Sequence, residues 1–111
     1  MATMKRQPIH PGRFLREEFL EPKGITQANF AKALQLNRVT VSKILNERQK
    51  ITLDVAIRLS KCLGTTPDVW INMQAKFDLW EEMHKKSRNK LRQKIKNFDW
   101  LLAHADTVKS A

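Results

Sequence analysis

Apolar side chains recur along this chain at three- and four-residue spacing, the period of helices buried on one side, and no run alternates as a half-buried strand would. Phe14, Leu15 and Phe19 place a first helix over Arg13–Leu20, which Glu21-Pro22-Lys23-Gly24 ends. Thr26 is suited to cap a second helix, in which Phe30, Ala31 and Leu34 share a side up to Gln35. After the short turn Leu36-Asn37, the residues Val39, Val41, Ile44 and Leu45 resume an apolar pattern to about Asn46, so a third helix starts almost where the second stops. Thr52 caps a fourth that is apolar on most sides, with Leu53, Ala56, Ile57, Ser60 and Leu63 on one face and Val55, Leu59 and Cys62 on the other; it is expected to be central, with Cys62 buried. Gly64 is its expected C-cap.

Thr66-Pro67-Asp68 reads as cap, first-turn proline and favourable first-turn acid for a fifth helix, running to about Lys86. Two apolar faces emerge on it. Val69, Trp70, Met73, Phe77 and Trp80 form the first, and core packing is expected for the first four of these. Ile71, Ala75, Leu79 and Met83 form a second, which a single small core rarely needs and which suits a partner. Beyond it, Leu91, Ile95, Phe98 and Leu102 follow at helical spacing, so an amphipathic helix is expected there, with Trp100 on its opposite side. The organisation expected is a polar arm over residues 1–10, an all-α domain of five helices over 11–86, and a basic, helical C-terminal extension over 87–111.

Charge narrows the function. The 111 residues carry 21 Lys and Arg against 11 Asp and Glu, a net charge of +10, of which the last 25 residues contribute +4 from six basic and two acidic side chains. Such a balance points to nucleic acid or another acidic partner. The single cysteine cannot form an intrachain disulfide, no apolar stretch is long enough to span a bilayer, and the N-terminus leads into polar residues instead of a signal core, so a cytoplasmic protein with no membrane association is expected. His10, His84 and His104 are too scattered for metal ligands, and no carboxylate pair or Ser/His arrangement offers a catalytic seat. The expected protein is no enzyme and holds neither metal nor cofactor.

Between Gln27 and Arg48 the spacing becomes specific. Counting Gln27 as the first position, Ala31 is fifth, Leu36 tenth, Val41 fifteenth and Ile44 eighteenth, the offsets of a helix-turn-helix. Ala31 must be small where the two helices cross, while Phe30, Leu34, Leu36, Val41 and Ile44 set the crossing angle. Any helical hairpin shares part of that pattern. It does not require Arg38, Thr40, Ser42 and Lys43 on the polar side of the third helix, with Asn37 before it and Arg48 and Lys50 after it. These side chains can reach phosphates and base edges, the alternative being an ordinary solvated face.

Here the chain resembles the phage-repressor-like helix-turn-helix family and, within it, the HigA antitoxin group, also called virulence-associated protein I. The resemblance covers about Ile9 to Lys85 and rests on His10-Pro11-Gly12, Leu15-Arg16-Glu17-Glu18-Phe19-Leu20, Ile25-Thr26-Gln27, Ala31-Lys32-Ala33-Leu34, Thr40-Val41-Ser42-Lys43-Ile44-Leu45-Asn46, Ala56-Ile57-Arg58-Leu59-Ser60-Lys61 and the stretch Leu63 to Gln74, continuing to Asp78-Leu79-Trp80. It implies a five-helix, lambda-repressor-like homodimer that binds an inverted-repeat, double-stranded DNA operator and neutralises a HigB-type ribonuclease toxin. It also implies that Gln27 clamps a phosphate and braces the third helix. The alternatives are a stand-alone repressor with no toxin and, in another class, an RNA-binding protein using its basic tail, although no RNA-recognition motif is present.

Two residues depart from the group. Gln35 and Glu47 stand where many relatives have glycine, so Gln35 is expected in a left-handed conformation at a cost of about 1 kcal/mol. Glu47 sets a carboxylate near the expected DNA backbone, where it repels phosphate or accepts from cytosine. The dimer contact is assigned to Ile71, Ala75, Leu79 and Met83, since two recognition helices must enter successive major grooves. A basic toxin would need a local acidic surface on this cationic chain, which Glu17, Glu18 and Glu21 or Glu81 and Glu82 could supply.

Overall fold

The computed structural model describes residues 6–105, and all of their regular structure is helical. The elements are α1 (Pro11–Phe14), α2 (Gln27–Leu34), α3 (Arg38–Leu45), α4 (Leu53–Leu63), α5 (Pro67–Met83), α6 (Lys86–Arg92) and α7 (Phe98–Ala103). They fall into two compact units, one ending at Glu81 and the other beginning at Glu82.

The first helical segment is longer and less regular than its apolar spacing predicts. It starts at Pro11, winds as a π-helix over Leu15–Leu20 and tightens to a 3-10 turn over Glu21–Lys23. The wider i→i+5 winding brings Leu15 and Leu20, five residues apart, into the core together, while Phe14 and Phe19 stay half-buried. Those two rings meet each other at 5.9 Å and each meets Trp70 at 6.1 Å. Trp70 is wholly buried, with its indole nitrogen donating to Thr65 Oγ1 at 2.8 Å. Around it pack Phe30, Ala31 and Leu34 of α2, Val41, Ile44 and Leu45 of α3, Ile51, and Val55, Ala56 and Leu59 of α4.

Caps account for the helix boundaries. Thr26, Asn37, Thr52 and Asn97 each accept from a backbone amide of the first turn of α2, α3, α4 and α7. At α1 the cap is His10, buried edge-on against Phe77, whose Nδ1 accepts from the Gly12 amide at 2.9 Å. That bond requires an unprotonated Nδ1. Burial lowers the His10 pKa from its ordinary 6.5, with Glu47, Asp78 and Glu81 acting in the opposite sense. Below about pH 6.5 the unfolded chain therefore takes up a proton that the native state resists, and stability is expected to fall as the pH drops from there. Denaturant melts of the wild type and His10→Asn across pH 7 to 5 check this. The asparagine can still cap, and the stability loss on acidification should be smaller in the variant.

Left-handed residues end several helices. Gly24, Gln35 and Glu47 each follow a helical stretch with paired closing bonds: Ile25 N to Leu20 O, Leu36 N to Ala31 O, and Arg48 N to Lys43 O, together with the inner bonds Gly24 N to Glu21 O, Gln35 N to Lys32 O and Glu47 N to Ile44 O. Gly64 ends α4 through a bond to Ser60 O. Gln35, with φ of 56°, adopts the conformation expected of it, and Glu47, with φ of 62°, shares it. Gln35→Gly and Glu47→Gly should each stabilise the fold by about 1 kcal/mol, raising the melting midpoint by a few degrees. Calorimetry checks both, and a lowered midpoint would contradict the presence of strain.

Several burial expectations are corrected. α4 is amphipathic and not central: Val55, Ala56, Leu59 and Ser60 are buried, while Leu53, Ile57 and Cys62 are exposed. Cys62 lies off that stripe. On α5, Trp70 and Gln74 are buried, Met73 and Phe77 are half-buried, and Val69 faces outward instead of joining the core. The helix ends at Met83, sooner than expected. The extension is helical, but Leu91, Ile95, Phe98 and Leu102 do not share one continuous helix, because α6 stops at Arg92 and Asn97 caps a new start. All four are exposed. In this second unit Arg88 and Arg92 close on the Glu82 carboxylate at 2.6 and 2.5 Å, and their hydrogen bonds hold its pKa down at about 2.

Candidate nucleic-acid interface

The outward face of α3 is defined by what its inner face buries. Val41, Ile44 and Leu45 go into the core. At about 3.6 residues per turn, Val39 and Lys43 then lie opposite that face, and Arg38 with half-buried Ser42 forms the row between them and the core. With Gln27, which stands half-buried in the first turn of α2, these four line a shallow groove of 330 Å³. Thr40 lies at the margin of that face, half-buried, and not between Arg38 and Lys43.

Other candidate residues have different duties. Asn37 Oδ1 caps α3 by accepting from Val39 N at 2.6 Å. Ser42 Oγ accepts from Asn46 Nδ2 at 3.3 Å. Arg48 and Lys50 line a separate cleft with His10, Glu47, Asp78 and Glu81, and Lys50 Nζ pairs with Asp78 at 3.3 Å. The structure thus brings Gln27, Arg38, Ser42 and Lys43 together and sets Arg48 and Lys50 apart among acidic side chains.

Sequence reasoning missed the groups that hold α3 in place. Arg16 Nη1 donates to Leu45 O at 2.6 Å, occupying a terminal carbonyl of α3, and Arg58 Nη1 donates to Leu34 O and Gln35 O at 2.9 Å, doing the same for α2. Both arginines brace the helix-turn-helix from other segments. Buried Gln74 accepts from Ile51 N at 2.9 Å, fixing the loop after α3. Gly12 packs so closely on α3 that an added Cβ would overlap the Ile44 carbonyl oxygen. The sequence signal for it is the His10-Pro11-Gly12 motif, which by itself marks only the end of an arm. Val39 is absent from the sequence-predicted contacts, yet it lines the groove and is 60% exposed.

Residues 16–70 match the helix-turn-helix family HTH_3. Over 96 residues, covering 86% of each chain, the protein is 41% identical to antitoxin HigA-1 of Vibrio cholerae. The chain belongs to the HigA-type helix-turn-helix family. A second relative, 38% identical over 94% of each chain, is an uncharacterized HTH-type transcriptional regulator of Haemophilus influenzae. The fold agrees with the solved structure of antitoxin GraA in complex with its operator at a TM-score of 0.77, with 38% identity over 88% of this chain and 98% of that one. No helix among the described residues is long and apolar enough to cross a membrane, and among those residues no group of three or more His, Cys, Asp or Glu side chains is placed to hold a metal ion.

Proposed function

We propose that this HigA-family chain is a sequence-specific DNA-binding antitoxin that represses its own operon and neutralises a HigB-type ribonuclease toxin by direct binding. The observation that carries the DNA part is the surface groove at α3, where Gln27, Arg38, Ser42 and Lys43 come together outside the buried face. Structural likeness to an antitoxin in complex with its operator supports the same reading. In the major groove, Arg38 and Lys43 serve as donors to phosphates and guanine edges, and Gln27 holds a phosphate at the start of α2. Asn37, Thr40, Arg48 and Lys50 are flanking contacts in this proposal, with Lys50 first releasing Asp78.

An inverted-repeat operator calls for a second copy, and we place the homodimer contact on α5. Ala75, Leu79 and Met83 are exposed there, while Ile71 packs partly against the core. The toxin part rests on the relationship to HigA-1. Glu17 and Glu21 pair with Arg13 and Arg16, and Glu82 with Arg88 and Arg92, so the acidic surfaces are partly neutralised within the chain itself. A stand-alone repressor is the second reading, favoured by the relative named only as a transcriptional regulator. Co-purification at native expression level separates them. A stoichiometric small protein that is toxic when expressed alone supports the antitoxin, whereas a chain that shifts its own promoter without such a partner supports the repressor.

A further inference from the structure

Val39 is the apolar residue on the outward side of α3. The core of α3 is complete without it, and its surface stays 60% exposed. A β-branched residue is also a poorer helix former than the polar residues that commonly fill outward positions. Its neighbours in the groove are Gln27, Arg38, Ser42 and Lys43, all suited to polar or anionic groups. An apolar side chain among these polar ones adds to the groove a surface that a carbon group of an otherwise polar, negatively charged ligand can meet. In the major groove of DNA the thymine C5-methyl provides one, and the other base edges present there mainly hydrogen-bond donors and acceptors. Val39 is also the second residue of α3, and the N-terminal residues of a recognition helix are the ones that meet base edges.

We propose that Val39 is a specificity-determining residue that selects thymine through contact of its methyl groups with the thymine C5-methyl. This rests on the proposed operator binding. The branched side chain holds one preferred χ1 rotamer in a helix, so its methyls are presented at a fixed place. Arg38 and Lys43 set the register, and Val39 discriminates within it.

The test uses the full chain and a duplex that it selects from a random pool. Each thymine of that duplex is replaced in turn by uracil, which removes only the methyl. Wild type should lose about four-fold in affinity at one thymine per half-site, the worth of one buried methyl-sized group. Val39→Ala, which removes the contact in both half-sites of the dimer, should bind the thymine duplex about 16-fold more weakly and be indifferent to uracil at that position, with a melting midpoint no lower than that of wild type because the site is exposed and alanine is the better helix former. Two results overturn the proposal: wild type indifferent to uracil everywhere, or Val39→Ala showing the same uracil penalty as wild type. A chain that selects no duplex at all overturns the operator reading itself, and the role of Val39 with it.

Discussion

Gly12→Ala is expected to cost the fold at least about 3 kcal/mol, at or beyond the upper end for overpacking, and to lower the melting midpoint by about 10 to 20 °C. The reason is steric and not conformational. Gly12 lies within α1, and the added Cβ would overlap the carbonyl oxygen of Ile44 and sit 2.8 Å from its carbonyl carbon. Neither atom belongs to a flexible side chain, so either α1 or the last turn of α3 has to move. Moving α1 would pull Arg16 from Leu45 O and disturb the His10 cap. Gly24→Ala is the control: its Cβ meets nothing within 4 Å, but φ is 64°, so the cost is only about 1 kcal/mol of backbone strain. Thermal melts of both variants decide the matter. A Gly12→Ala midpoint within two or three degrees of wild type, or a smaller drop than Gly24→Ala produces, would refute the close approach.

The contrast between these glycines shows what the sequence could and could not disclose. The helix-turn-helix was legible because its constraints are local: Thr26 caps within three residues, and Ala31, Leu34, Val41 and Ile44 recur at helical spacing. Gln35 was legible as a left-handed position only through the resemblance, because many members of the group have glycine there. The braces were not, since Arg16 and Leu45 are 29 residues apart and nothing local announces that a guanidinium will end on a distant carbonyl. Apolar character misled where it was read as burial. Leu53, Ile57 and Val69 fit helical periodicity but lie outside the stripe that each helix buries. The C-terminal extension shows the converse error. Leu91, Ile95, Phe98 and Leu102 keep a helical period, yet α6 stops at Arg92 and Asn97 caps a separate helix.

The double variant Arg38→Ala, Lys43→Ala is expected to weaken operator binding by about 100-fold or more while leaving the melting midpoint almost unchanged. Each side chain is exposed, so neither contributes to the core. Each contact to a guanine edge or phosphate is worth about 1 to 3 kcal/mol, and two together reach that loss even if they overlap in part. Salt adds a sharper criterion. For each phosphate that is no longer neutralised, the slope of log affinity against log salt should fall by about 0.9, so the double variant should bind with a shallower dependence as well as more weakly. Arg58→Ala provides the opposite signature. Its guanidinium bonds Leu34 O, Gln35 O and Asp54, so its removal should cost about 1.5 to 3 kcal/mol of stability, yet under conditions where the variant is folded the salt slope should match wild type. Fluorescence anisotropy across a salt series, with melts of the same preparations, separates an arginine that holds the fold from one that holds DNA. Should the double variant keep the wild-type slope and affinity, the groove between α2 and α3 is not the DNA-contacting face, and the basic surface that binds has to be sought elsewhere on the chain.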